Sequence, residues 1–465
     1  MFKKSNLALL FILVIAIILR FWRLDYPDLT PDEGHYAYDA FQYYKGNPGM
    51  VPRYHTQYHL EGQIGHPFLG SFLISQAYSV FGLKVFSTRL ISAFFGVLTI
   101  PFIYLIGRVV FSNAVGLMAS AMFTVFPLAV RYDRTVFLDT LLTFLLSVFI
   151  FFYLKFKRLR TMGAAMILGM VAGLMALTKF SGLLVLVFIG VDFILAMIKK
   201  INYETVKRYL AIGMGFGLIF LAGTAPQAYL MGIFYPTDKN FSQINPGRDM
   251  LEMTKTFFSQ SFASLIPYLL VIFLVLGLYQ ALKRKTSSLL PLMFICWLPL
   301  VWIHMTGKSG IYGLLPLMFL GVFFACYYLD SLKGLKKKIL LLFSFLWLIY
   351  ASVGWGVMEI AKVKPIDQDA LFYLASLDIA EGEKIYLFET PRTYFFFEDR
   401  LPFLIDAGLQ EKAIARDEII YIISTDVTLL GKELNGKLIK SQKFSIEKKF
   451  ANEERSLIIF KRNRG

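Results

Sequence analysis

The chain is short of charge and of cysteine. Of its 465 residues, 17% are Asp, Glu, Lys or Arg and 57% are hydrophobic, whereas a soluble globular protein averages roughly 25% charged. A soluble fold for the whole chain is excluded. Cysteine occurs only at Cys296 and Cys326. Both sit in apolar runs, so no disulfide framework or cysteine-based metal knuckle is available. Acids are scarcest in the first three quarters: residues 1–357 hold 31 Lys and Arg against 14 Asp and Glu, and residues 358–465 hold 17 against 18. The net charge of +16 therefore belongs to the first part. The positive-inside rule and attraction to anionic headgroups account for it, and no nucleic-acid partner is expected.

What the chain has in quantity is apolar runs of roughly 17–25 residues, the length that crosses a bilayer core. Eleven spans are expected, at 7–22, 89–107, 113–131, 135–154, 162–178, 180–198, 209–231, 263–282, 288–304, 310–328 and 339–357. One set of alternate loops is rich in Lys and Arg, including Lys155, Lys157, Arg158 and Arg160, then Lys283, Arg284 and Lys285, then Lys336, Lys337 and Lys338. The opposite short loops hold only Arg131, Arg134, Lys179 and Lys308. This asymmetry puts the N-terminus in the cytoplasm and, with an odd number of spans, the C-terminus outside. Lys3 and Lys4 before Leu7–Leu19 are charged like a signal peptide, but no small-residue cleavage site precedes Arg20-Phe21-Trp22-Arg23. An uncleaved first span is expected. The run Pro67–Phe81 is short and carries Ser71, Ser75, Gln76 and Ser79. As a span it would invert every later loop, so it is expected to lie flat at the outer interface as an amphipathic helix.

The expected fold is an all-α polytopic membrane protein with about eleven transmembrane helices and a small extracytoplasmic C-terminal α/β domain. Residues 1–357 form the membrane domain, with a large outer loop at 23–88. Residues 358–465 form the α/β domain, with strands expected at Lys384–Phe388, Glu418–Ser424 and Ser456–Lys461 from their β-rich runs.

Five of the 14 acids in residues 1–357 crowd into fifteen positions of the first outer loop: Asp25, Asp28, Asp32, Glu33 and Asp39. Thr30-Pro31-Asp32-Glu33 reads as a helix start, with Thr30 as cap, Pro31 in the first turn and Glu33 closing a capping box. The box and the positive helix end explain Glu33 well and Asp32, about 100° round the helix from it, less well. Further acids follow at Asp133 and Asp139. Arg131 and Arg134 can neutralise Asp133 locally, while one helical turn from Asp139 there are only Thr135 and Thr143. The outward cations Arg89, Arg131, Arg134, Lys179 and Lys308 either snorkel to headgroups or converge on a phosphate. Tyr36 belongs to an interfacial aromatic belt on which sugars can also stack. His35, His55, His59 and His66 with Glu61 leave a divalent metal open, though none forms a tight ligand pair on a clear helix.

Arg20–Asp25 (RFWRLD), Thr30–Ala37 (TPDEGHYA), Gly65–Leu69 (GHPFL), Thr88–Gly96 (TRLISAFFG), Phe137–Thr140 (FLDT), Leu177–Gly182 (LTKFSG) and Gly307–Pro316 (GKSGIYGLLP) together resemble the dolichyl-phosphate-mannose-protein mannosyltransferase superfamily. The likeness covers roughly residues 1–330 and is greatest to the bacterial branch similar to the lipid A aminoarabinose transferase. It implies a GT-C glycosyltransferase that takes a sugar from a polyprenyl phosphate at the outer leaflet, needs no cofactor, and passes the sugar to a lipid, glycan or protein. It also implies that Asp32 is the acid–base residue with Glu33 beside it, that Asp139 is the second aspartate, and that Arg89 and Lys308 bind the lipid phosphate. Arg131, Arg134, Lys179, Tyr36 and His66 complete the candidate substrate-binding set. Two positions depart from the family pattern: Phe68 stands where a second Pro is usual, and Phe180 where Gly often follows the lysine. The rival reading is a polytopic lipid or solute transporter, which calls for acids near the bilayer midplane and often for repeated halves. The loop 232–262 is the candidate acceptor or lid segment.

Overall fold

A computed structural model of the chain describes residues 4–46, 67–159, 161–199, 202–224, 268–284, 289–301, 311–358, 365–388, 394–397, 400–404, 414–424, 429–451 and 456–463. In chain order its helices are α1 (Lys4–Phe21), α2 (Pro31–Tyr44), α3 (Phe68–Phe81), α4 (Val85–Val110), α5 (Asn113–Thr124), α6 (Pro127–Asp133), α7 (Leu138–Leu159), α8 (Met162–Thr178), α9 (Leu184–Lys199), α10 (Tyr203–Thr224), α11 (Tyr268–Arg284), α12 (Leu289–Trp297), α13 (Leu315–Ser331), α14 (Gly334–Ala351), α15 (Ile366–Ala375) and α16 (Leu429–Lys440). The chain divides into two compact units. The first is Met1–Trp22, Ile64–Leu73 and Arg89–Met358; the second is Arg23–Gln63, Ile74–Thr88 and Glu359–Gly465. Residues 23–63 and 74–88, read from sequence as a loop of the membrane domain, thus group with the tail.

The first unit is helical. Among the described residues six helices are long and apolar enough to cross a bilayer by themselves, and the bent pair α5–α6 makes a seventh if counted as one span. The pair turns by 57° because Pro127 has no N–H for the helix ladder and starts α6 afresh. A break in apolar surroundings leaves carbonyls that water cannot reach, and these must find protein donors. Arg20 donates to the Thr124 carbonyl at 3.1 Å, and the Ser352 hydroxyl donates to that of Val125. Helices α8 and α10 pack through glycines: a Cβ on Gly169 would meet the Ile212 carbonyl at 1.9 Å, and one on Gly215 the Met166 carbonyl at 2.2 Å. Small residues let these backbones touch where no hydrophobic effect draws helices together. The core of the unit is filled by large rings, among them Phe123, Phe149, Phe188, Trp297, Phe319 and Phe323.

In the second unit the tail is an α/β domain, as its composition suggests. Its sheet runs in the order β2 (Phe403–Leu404), β1 (Lys384–Leu387), β3 (Ile419–Ser424), β5 (Ser456–Arg462), β4 (Phe444–Ala451). β1 is parallel to β2 and β3, while β5 is antiparallel to β3 and β4. The sequence names β1, β3 and β5 but not β2 or β4. β2 has two residues, and β4 is an edge strand whose register shifts between Ile446 and Lys448, so its apolar residues lose their alternation. Leu434 and Leu438 of α16 close over Tyr386, Ile422 and Phe460 to form the core.

Candidate active site

In the second unit, α2 begins as its sequence dictates. Thr30 Oγ1 accepts from the Glu33 amide at 3.3 Å, and Glu33 Oε2 accepts from the Thr30 amide at 2.9 Å. This capping box leaves Glu33 fully buried with its carboxylate engaged by the backbone. Asp32, one residue earlier, is exposed. Tyr36 lies one turn on and is buried. His35 is held below the usual imidazole range by burial, against the opposing charge of Asp32.

Asp39 lies seven residues from Asp32, nearly two turns along the same helix face. It is half-buried, and desolvation pushes its carboxyl up to about 7. The folded chain keeps this proton over a range in which the unfolded chain, with an aspartate pKa near 4, has lost it. Folded stability therefore falls as pH rises from about 4 to 7. Asp39→Asn is expected to raise Tm at pH 8, by a stabilisation on the order of 2 kcal/mol once the half-exposure is discounted, and to leave Tm at pH 4 unchanged. Thermal unfolding in detergent at the two pH values checks this. A shift of equal size at both would remove Asp39 as its cause.

In the first unit two ion pairs organise the polar residues. Asp139, in the first turn of α7, is buried and takes the Lys179 ammonium on both oxygens, at 2.7 and 2.9 Å. Lys179 ends α8, and its ammonium also faces the Tyr312 ring at 5.0 Å. That ring packs on Phe137 with centroids 4.2 Å apart and meets Tyr132 edge-on. In the second pair, Asp133 receives Arg20 Nε at 2.8 Å and the Thr140 hydroxyl at 2.9 Å, with both charged side chains buried. The expectation that neighbouring Arg134 neutralises Asp133 is corrected here. Arg134 follows the last residue of α6, and its guanidinium turns to the end of α1, donating to the Leu19 and Trp22 carbonyls at 2.8 and 2.7 Å. Those carbonyls at a helix end have no partner inside the helix.

Gly96 of α4 makes room for this arrangement. A Cβ there would lie 2.5 Å from both Cγ and Oδ2 of Asp133, so Asp133 would have to leave Arg20. Gly96→Ala is expected to destabilise the chain by about 1–3 kcal/mol, as overpacking does. An unchanged Tm in thermal unfolding would contradict it.

Arg89 is buried, and Arg134 is pushed down to about 10 by burial and by the charges of Arg89 and Arg20. Both of those cations thus oppose the charge of Arg134. Arg20 Nη2 and Arg134 Nε are buried without a hydrogen-bond acceptor among the described residues. Such a set is chemically suited to an anion. Arg131 is half-buried at the end of α6. Lys308, His66, His55, His59, Glu61 and the segment 232–262 lie outside the described residues. Among those described, no three His, Cys, Asp or Glu side chains group as metal ligands.

Arg20 is the member that sequence reasoning passed over, since an arginine ending a first span reads as a headgroup anchor. The available signal was its place in the Arg20–Asp25 motif.

A search of curated proteins finds no match in sequence. Residues 65–229 match the family described as dolichyl-phosphate-mannose-protein mannosyltransferase. Among solved structures, ArnT from Cupriavidus metallidurans bound to undecaprenyl phosphate is similar, with a TM-score of 0.63 at 16% identity over 98% of each chain. Its apo state gives 0.65 at 14% identity, also over 98% of each. The chain shares the fold of these ArnT structures. The likeness in fold extends to the oligosaccharyltransferase of Archaeoglobus fulgidus in complex with Zn and sulfate, with a TM-score of 0.55 at 15% identity over 90% of this chain and 68% of that one.

Proposed function

We propose that this membrane protein moves a sugar from a polyprenyl-phosphate donor to a hydroxyl or amine of a lipid, glycan or protein acceptor at the outer face of the membrane, with inversion at the anomeric carbon. The observation that carries this reading is Asp32, an exposed carboxylate in the first turn of α2 beside a glutamate already committed to the cap. Two structural relatives support the donor class. The ArnT structure is bound to undecaprenyl phosphate, and AglB of A. fulgidus is in complex with an inhibitory peptide and a dolichol-phosphate.

In this mechanism Asp32 takes the proton from the acceptor as its oxygen or nitrogen attacks the anomeric carbon and the bond to phosphate breaks. General-base assistance of this kind is worth about 10²–10⁴-fold. Charge then grows on the departing phosphate, which preorganised cations stabilise. Arg89 and Lys308 are assigned to that phosphate, with Arg131 and Arg134 adding to the positive field. Lys179 is already shared with Asp139, so Asp139 acts by holding the ammonium in place. Tyr36 and His66 are assigned to the sugar.

Purified protein given a panel of polyprenyl-phosphate sugars tests the reading through sugar release and transfer. Turnover of at least one donor is the expected result. If no donor is consumed with cell-envelope acceptors present, while proteoliposomes holding the protein show solute or lipid flux, the transferase reading falls to the transporter.

A further inference from the structure

The α/β tail has no part in the chemistry just described, and two contacts inside the second unit supply one. Asp28 lies two residues before the cap of α2, and its buried carboxylate reaches the tail. Its Oδ2 accepts from the backbone N–H of Asp367 at 2.7 Å and its Oδ1 from that of Gln368 at 3.2 Å. These are first-turn amides of α15, whose own N-cap, Pro365, makes no side-chain capping bond. A carboxylate there satisfies donors that the helix cannot bond internally and meets the positive end of its dipole. Asp28 therefore caps a helix 339 positions later in the chain.

The second contact is Tyr78 of α3, also buried. Its hydroxyl donates to the Ala37 carbonyl of α2 at 3.3 Å and shares a 2.9 Å hydrogen bond with Thr88. Its ring meets Phe396 of the tail edge-on at 5.9 Å and Tyr44 of α2 at 6.3 Å. Helix α2 is held just before its start by α15 and along its length by a tyrosine that the tail backs.

We propose that Asp28 is a positioning residue for Asp32, and that the tail serves as the anchor that sets the helix carrying the acid–base group. This rests on the assignment of Asp32 above. Reacting groups displaced by about 1 Å can lose on the order of 10²-fold in rate, so a cap on the approach to α2 has kinetic consequences that its distance from the reacting atoms hides.

Full-length wild type, Asp28→Ala and Asp28→Asn are compared by kcat and KM for a polyprenyl-phosphate sugar, by Tm, and by amide hydrogen exchange of residues 31–44. Asp28→Ala is expected to lower kcat by about 10–100-fold, to keep donor KM within about threefold, and to speed exchange in α2. Asp28→Asn still offers an acceptor oxygen, and Asn caps helices about as well as Asp, so kcat should return to within about threefold of wild type. A folded Asp28→Ala with wild-type kcat, or one whose kcat falls only in proportion to its folded fraction, overturns the proposal. Should Asp28→Ala fail to fold, Asp28→Ser stays polar in the pocket but offers one oxygen where two bonds are made, and the same criteria apply to it. If wild type consumes no donor, the transferase reading has failed separately. Exchange then decides the clamp, and an α2 unaffected by loss of Asp28 overturns it.

Discussion

Asp32→Asn is expected to lower sugar transfer by about 10²–10⁴-fold, the range lost when a general base is removed, while Tm stays close to wild type. Asp32 is exposed, and its structural contribution is that of an acid near a helix N-terminus, about 0.3–1 kcal/mol. Glu33 provides the contrast. Glu33→Gln keeps an oxygen for the Thr30 amide and should retain most activity, whereas Glu33→Ala opens the capping box and should cost about 1 kcal/mol of stability. Transfer rates and Tm values for the three variants separate catalysis from capping. Undiminished transfer by Asp32→Asn would take the base role from Asp32.

The largest stability effect is expected at Arg20. Its side chain and that of Asp133 are 0% and 1% exposed, so Arg20→Met leaves a buried carboxylate whose remaining hydrogen-bond partner among the described residues is Thr140. Breaking a buried ion pair from one side costs about 3–5 kcal/mol. Arg20 also donates to the Thr124 carbonyl at the α5–α6 bend, which places the loss toward the upper end of that range. Replacing both partners with apolar residues of similar size removes the charge problem, so Arg20→Met/Asp133→Leu should recover a large part of the loss. Unfolding of the two single variants and the double variant in detergent gives the coupling. Additive losses would mean that the two side chains do not act as a pair.

The contrast between α2 and the ion pairs explains how much of the fold and the site can be read in advance. Thr30, Pro31 and Glu33 act within one turn, so the start of α2 and the availability of Asp32 are written in four consecutive residues. The helical character of the first unit is similarly legible, because length and apolarity mark its long helices. Arg20 with Asp133, Lys179 with Asp139, and Asp28 with α15 join residues 113, 40 and 339 positions apart. Helical periodicity carries information over a turn or two, so it is silent on such partners. Arg134 illustrates the resulting error, since a cation next to an acid in sequence serves the end of a different helix. In the tail, β4 was hidden for another reason: its register shift breaks the two-residue period by which strands are recognised.

The separation of Arg20 from Asp133 also bears on how the protein is made. When α1 leaves the ribosome it carries an arginine near its end whose acid has not yet been translated. At about 5–20 residues per second, synthesis across this separation of 113 positions takes roughly 6–23 s. During that time the guanidinium has only headgroups and water to meet it. The carbonyls at the end of α1 wait equally long, because their donor is Arg134. Helix α1 is therefore expected among those that settle late, docking when the bent α5–α6 pair arrives beside it.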